Sequence, residues 1–179
     1  MSLLDLPAEV LDRARRIRLI GFDIDGVMTD GGLNFSGGGE LYKRCNVQDG
    51  LGLKLLMKSG ITVVIITGRS SDIVARRAAD LGIDLVFQGV PDKCACMKAL
   101  LDERDLDWHD AAYMGDDWPD LGVLRRVGLA IAPSNVDPAV AMHVHWRTGR
   151  RGGDGAVREA AELLLIAQDR YDALLAEHL

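Results

Sequence analysis

The chain has 179 residues, 48% of them hydrophobic, which is enough for one domain with a substantial core. Its formal net charge of -6 argues against nucleic acid as a partner, and no apolar run approaches membrane-spanning length. No charged-then-apolar leader opens the sequence, and the cysteines, Cys45, Cys94 and Cys96, follow no zinc-like spacing and read as reduced thiols, so a cytoplasmic protein is expected.

Residues 7–16 read as a short helix, with Asp5 or Leu6 just outside and Pro7 in its first turn. The apolar run 18–22 reads as a buried strand and ends in Asp23-Ile24-Asp25-Gly26. Side chains alternate along a strand, so Asp23 and Asp25 can point the same way at its end. Two carboxylates that close repel, which implies a cation, a shared proton or both. Gly26, Gly31 and Gly32 let the chain turn away. Residues 32–46 look like a β-hairpin insert with Gly37, Gly38 and Gly39 at its tip; no strand-to-helix context surrounds these glycines, so they do not read as a phosphate cradle.

Residues 49–58 read as a helix with Asp49 as N-cap and Gly60 as stop. A second strand, 61–66, ends in Thr67-Gly68-Arg69-Ser70; a helix over 72–81 stops at Gly82; 85–87 is a third strand. Lys93 opens a helix to about residue 103, and a fourth strand, 111–114, ends in Gly115-Asp116-Asp117. A short helix reaches residue 127, residues 129–131 form a fifth strand, and a sixth is expected around Val144. His143 and His145 could share a face there, a weak metal signal. A basic, glycine-rich stretch, 147–155, precedes a long helix over 156–177. Strands alternating with helices predict an α/β fold, a Rossmann-like parallel sheet with helices on both faces and a small β-hairpin flap, in one domain spanning 1–179.

In a parallel sheet the ends carrying Asp23 and Asp25, Thr67, and Asp116 and Asp117 lie on one edge, and Lys93 can reach it. Acids, a hydroxyl and a lysine around one point suit phosphoryl transfer. Mg²⁺ needs few protein ligands beyond two carboxylates and a carbonyl, and a phosphoryl group needs donors and positive charge on its oxygens.

Asp23-Ile24-Asp25-Gly26, Thr67-Gly68-Arg69, Lys93 and Gly115-Asp116-Asp117 resemble, in order and position, the four motifs of the haloacid dehalogenase superfamily of phosphatases. Within it, Asn46-Val47-Gln48-Asp49-Gly50, Ile65-Ile66-Thr67-Gly68-Arg69-Ser70 and Gly152-Gly153-Asp154-Gly155-Ala156-Val157-Arg158-Glu159 resemble segments of the 3-deoxy-D-manno-octulosonate 8-phosphate (KDO 8-phosphate) phosphatase family, and the similarity runs from about residue 17 to about residue 168. The resemblance implies that Asp23 is the nucleophile and that Asp25 protonates the leaving alkoxide and then activates water. It implies Mg²⁺ held by Asp23, the Asp25 carbonyl and Asp116, with Asp117 supporting the metal through water or orienting Lys93. Thr67, Gly68, Arg69 and Lys93 would grip an acidic sugar phosphate used in lipopolysaccharide synthesis. Many relatives carry Arg where this chain has Gln48 and Asp154, which removes positive charge near the substrate and leaves its identity open; Arg147, Arg150 and Arg151 could compensate.

Three alternatives stay open on the sequence: a phosphatase for a nine-carbon sugar acid such as KDN 9-phosphate or a sialic acid 9-phosphate, a phosphoacceptor domain, and a non-catalytic assembly module. Receiver-type phosphoacceptors usually place adjacent acids on the first strand, whereas here the first strand spaces them by one. Only about forty residues separate Gly26 from Thr67, near the lower limit for a self-supporting domain, so the enzyme is expected to be capless. An open site predicts a homo-oligomer, and the resemblance implies a tetramer with Arg150 and Arg151 reaching a neighbouring site.

Overall fold

The computed structural model describes residues 6–179, and among them six strands form one parallel sheet in the order β5-β4-β1-β6-β7-β8. The central strand is β1, Leu19–Phe22; it pairs with β4, Thr62–Ile66, on one side and β6, Ala111–Met114, on the other. Outside these lie β5, Leu85–Phe87, then β7, Leu129–Ala132, and the two-residue β8, Trp146–Arg147. Every residue of β1, β6 and β7 is buried, as expected for strands covered on both faces.

One face packs on α1, Ala8–Ala14, α2, Val47–Lys58, α3, Asp72–Leu81, and α7, Ala156–Ala167, around Ile20, Phe22, Leu53, Leu56 and Leu164. The other packs on α4, Lys93–Glu103, and α5, Leu121–Leu124, around Leu19, Val64, Met97, Leu101 and Tyr113. The short α6, Pro138–Ala141, leads into β8. Outside the main sheet, β2, Asn34–Ser36, and β3, Gly39–Tyr42, pair antiparallel as a hairpin, and an isolated antiparallel bridge between Thr29 and Cys45 closes its base. No helix among the described residues is long and apolar enough to cross a membrane.

Several local expectations are corrected. Pro7 is the N-cap of α1 rather than its first residue, and Asp5 lies outside the described residues. Val144 precedes the sixth strand instead of belonging to it. His145 Nδ1 accepts the Ala130 amide at 2.9 Å, a backbone role. The long terminal helix is two: Asp169 takes φ 56, and α8, Tyr171–Ala176, starts afresh. The Gln168 side chain at that break donates to the Ala14 and Ile17 carbonyls, at 3.1 and 2.8 Å, and ties the end of α7 to the chain entering β1.

The largest departure is Asp49. The N-cap of α2 is Asn46, whose side chain accepts from the Gln48 amide at 2.7 Å. Asp49, only 2% exposed, caps a different helix: its carboxylate accepts from the Gly155 and Arg158 amides, at 3.3 and 2.8 Å, at the start of α7. Burial pushes the Asp49 carboxyl above its ordinary range, against the pull of those two amides. Asp49→Ala should therefore cost about 2 kcal/mol in urea unfolding, because it strands two buried N–H groups, and Asp49→Asn should cost less because one acceptor remains.

Candidate active site

The carboxyl ends of β1, β4 and β6 open into a cleft of about 340 Å³ lined by Asp23, Asp25, Gly31, Thr67, Gly68, Arg69, Lys93, Asp116, Asp117, Pro119 and Asp120. The parallel registers Phe22↔Ile65 and Phe22↔Met114 place Asp23, Thr67 and Asp116 at this edge. After Asp23 the chain makes one wide turn over residues 24–28, closed by the Thr29 amide on the Ile24 carbonyl at 3.0 Å. Gly26 takes φ 91 there, and a Cβ on it would lie 2.0 Å from Asp116 Oδ2, so two strand ends approach only because that position has no side chain.

Lys93, the first residue of α4 and 5% exposed, reaches across to two carboxylates: Asp23 Oδ1 at 2.8 Å and Asp120 Oδ1 at 2.7 Å. Asp120 is fully buried and fully engaged. Its Oδ1 also accepts from the Tyr113 hydroxyl at 3.0 Å, and its Oδ2 accepts from the Asp116 and Asp117 amides at 3.1 and 3.3 Å. The ion pairs of Lys93 among the described residues are thus with Asp23 and Asp120, and the expected orientation of Lys93 by Asp117 is corrected. Asp117 instead caps the short turn that follows, accepting from the Trp118 amide at 2.8 Å. The one signal for Asp120 was a third acid following Asp116 and Asp117 within a single turn.

Oxygens of Asp23, Asp116 and Asp120 lie within 4.8 Å of one another, against a single ammonium. Burial, with the charge of Asp120 adding to it, pushes Asp23 up to about 6, although Lys93 pulls the other way. Burial together with Asp23, Asp120 and Asp117 pushes Asp116 up to about 7. Burial opposes the charge of Lys93, but Asp23 and Asp120 outweigh it and hold the lysine above its ordinary value. Such a deficit of positive charge calls for a cation. The donor set fits a hard divalent one: Asp116 Oδ1 is buried with no hydrogen-bond partner among the described residues, next to Asp23 and the turn through Asp25. Asp120, with both oxygens in use, orients Lys93 and is poorly placed to serve as a ligand.

Thr67, 2% exposed, lies beside this centre, and its hydroxyl oxygen accepts from the Arg69 amide at 3.4 Å. Asp25 faces the hairpin: Oδ1 accepts from Lys43 Nζ at 2.5 Å, and Oδ2 lies 3.5 Å from Arg69 Nε. Sequence reasoning missed Lys43, and nothing local to the hairpin marks it. Arg150 and Arg151 are exposed and do not line this cleft; Arg150 Nη1 donates to Gln48 Oε1 at 3.0 Å. The stretch between them and α7 packs beneath the turn over residues 24–28. The Gly153 amide donates to the Val27 carbonyl at 3.0 Å, and Asn135 joins Gly152 to the Gly26 carbonyl.

No family model matches the chain. It is 41% identical over 164 residues to the 3-deoxy-D-manno-octulosonate 8-phosphate phosphatase KdsC of Yersinia pestis, covering 92% of this chain and 88% of the relative. Among solved structures, the 3-deoxy-D-manno-octulosonate 8-phosphate phosphatase of Moraxella catarrhalis in complex with magnesium, phosphate and KDO superposes with a TM-score of 0.93 at 40% identity, covering 96% of this chain and 98% of that one. The cobalt-bound phosphatase YrbI of Haemophilus influenzae gives a TM-score of 0.85 at 37% identity, covering 88% and 92% of the two chains. Identity at this level along nearly the whole of both chains, with the same fold, means that the protein belongs to the KDO 8-phosphate phosphatases of the haloacid dehalogenase superfamily.

Proposed function

We propose that this chain is a Mg²⁺-dependent phosphoric monoester hydrolase that converts KDO 8-phosphate to KDO and phosphate, in lipopolysaccharide sugar synthesis. The observation that carries the reading is the meeting of Asp23, Asp25, Thr67, Lys93 and Asp116 on one cleft. Asp23 attacks phosphorus and forms an aspartyl-phosphate; Lys93, fixed by Asp120, keeps the attacking carboxylate in place. Asp25 gives a proton to the departing sugar oxygen and recovers one from the water that cleaves the intermediate. Thr67, Gly68, Arg69 and Lys93 hold the phosphate. Asp23, the Asp25 carbonyl and Asp116 would hold Mg²⁺, with Asp117 supporting it through water, and the ion would offset the negative charge of phosphate and carboxylates.

The active form is a homo-tetramer in the cytoplasm. Support comes from the hairpin, which leaves Leu33, Phe35, Leu41 and Tyr42 between 46% and 58% exposed and has too little core to bury them alone. Arg150 and Arg151, outside their own cleft, complete a neighbour's site and meet the acidic substrate. The free cysteines suit a reducing compartment.

Phosphate release from KDO 8-phosphate, with and without Mg²⁺ and beside KDN 9-phosphate, tests the substrate; preference for the nine-carbon sugar would move the assignment to that class, which the Gln48 and Asp154 positions keep in view. Asp23→Asn should lower kcat by about a thousandfold or more, because an amide is a poor nucleophile and a weaker ligand. Asp25→Asn should lose about 10²-fold or more while still binding Mg²⁺ through its carbonyl.

Mg²⁺ binding should depend on pH. Asp23 and Asp116 titrate at about 6 and about 7 in the fold, against 3.8 for an ordinary carboxyl, so without the ion their contribution to stability is lost as pH rises through that window. The ion needs both ionised. The rise in Tm on adding Mg²⁺ should therefore be larger at about pH 8 than at about pH 5.5, and equal shifts would count against these two ligands.

Light scattering should give four copies, and a fully active monomer would overturn the assembly. Arg150→Ala with Arg151→Ala should raise KM for the sugar phosphate while leaving inhibition by inorganic phosphate nearly unchanged.

A further inference from the structure

The hairpin is tied to the catalytic edge of its own subunit. Its closing bridge pairs Cys45 with Thr29, one residue past the turn that carries Asp25. Glu40 on β3 accepts a hydrogen bond from the Ser71 hydroxyl at the N-cap of α3. The Phe35 ring lies under the Arg69 guanidinium, 5.7 Å from centroid to Cζ. Between these anchors Lys43 leaves the strand and turns inward. Its side chain is 2% exposed, and its stem lines a small apolar cavity with Ile24, Met28, Ile65, Ile73 and Val74. The ammonium emerges against two carboxylates, Asp25 Oδ1 at 2.5 Å and Glu40 Oε1 at 2.9 Å.

The two oxygens of Asp25 are therefore unlike. Lys43 holds Oδ1. Oδ2 is buried with no hydrogen-bond partner among the described residues; Arg69 Nε, at 3.5 Å, attracts it without being aligned as a donor. A lone carboxylate at the end of a short side chain could rotate and present either oxygen. With Oδ1 pinned, only Oδ2 is left for proton transfer.

We propose that Lys43 is a positioning residue for the proton-transfer step, fixing the Asp25 carboxylate from the hairpin so that Oδ2 faces the departing and attacking oxygens. The proposal rests on the acid–base role of Asp25. In the first half-reaction the protonated Oδ2 gives its proton to the sugar oxygen as the P–O bond breaks and Asp23 gains the phosphoryl group. In the second half the Oδ2 carboxylate takes a proton from water as the water oxygen bonds to phosphorus and Asp23 is released. The proton lent to the sugar is recovered, and none is needed from Lys43.

The test separates leaving groups that need a proton from those that do not. The Mg²⁺-loaded protein, in excess over substrate, is mixed rapidly with KDO 8-phosphate or with p-nitrophenyl phosphate, and the first product is timed. Lys43→Met keeps a stem suited to the apolar cavity and removes the ammonium. It should slow release of the sugar by about tenfold or more, and release of nitrophenolate, which departs without a proton, by less than about threefold. Lys43→Gln, too short to reach Asp25, should give the same imbalance and serves as a second variant should the first fold poorly. Ser71→Ala loosens the hairpin without touching Asp25 and should slow both substrates by one factor. Equal slowing of both leaving groups by the Lys43 variants, no slowing of the sugar, or the same imbalance in Ser71→Ala would overturn the proposal. Wild-type protein that spares KDO 8-phosphate counts against the assigned substrate instead, and the ratio is then read on the alkyl phosphate it does cleave.

Discussion

The buried ammonium of Lys93 organises the inner end of this site. Lys93 lies between Asp23 and Asp120 with almost no access to water. An ion pair so placed persists only if its remaining hydrogen-bonding capacity is met, since taking charge out of water costs several kcal/mol per ion in real proteins. The fold meets it through Asp120, which collects the Tyr113 hydroxyl and the Asp116 and Asp117 amides besides the lysine. Tyr113 donates there, because burial and the charge of Asp120 keep its phenol protonated well past the ordinary range. The arrangement thus locks the end of β6, the start of α4 and the end of β1 to one another before any ligand arrives.

The same arithmetic of charge explains why the site needs a metal. One lysine cannot neutralise Asp23, Asp116 and Asp120, so burial and mutual repulsion push Asp23 and Asp116 up. A divalent cation held there would reverse that pressure. The fold is shaped around this crowding: a side chain at residue 26 would strike Asp116, and one at residue 152 would lie 1.8 Å from the Gly26 carbonyl. The glycine-rich stretch before α7 therefore buttresses the turn over residues 24–28 of its own chain.

The hairpin links this centre to the outside. It contributes Lys43 and Glu40 to the edge of the sheet, while Leu41 and Tyr42 stay exposed. An insert too small to hold its own shape gains a fixed position by contacts at its base, to Asp25, Ser71 and Arg69.

Much of this was legible in the amino-acid sequence by itself. Apolar runs of strand length alternate with helices, three of them closing on Asp23, Thr67 and Gly115-Asp116, and in a parallel sheet those three ends face one edge. Asp23, Thr67, Lys93 and Asp116 were found that way because their positions follow from local periodicity plus one topological rule. What only the tertiary structure decided are the pairings between distant segments. Asp49 reads locally as a cap for the helix it begins, yet its carboxylate meets amides more than a hundred residues away. Asp120 reads as the last acid of a turn, and Lys43 as one residue of the hairpin. The 156–177 helix looked continuous because its apolar spacing runs on past residue 168, whereas the contact of Gln168 with the chain entering β1 ends it. Periodicity reports which face of an element is apolar; it carries no information about which polar groups will be left without water once the elements pack. That shortage arises only in the packed fold, and there it decided the partners of Asp49, Asp120 and Lys43.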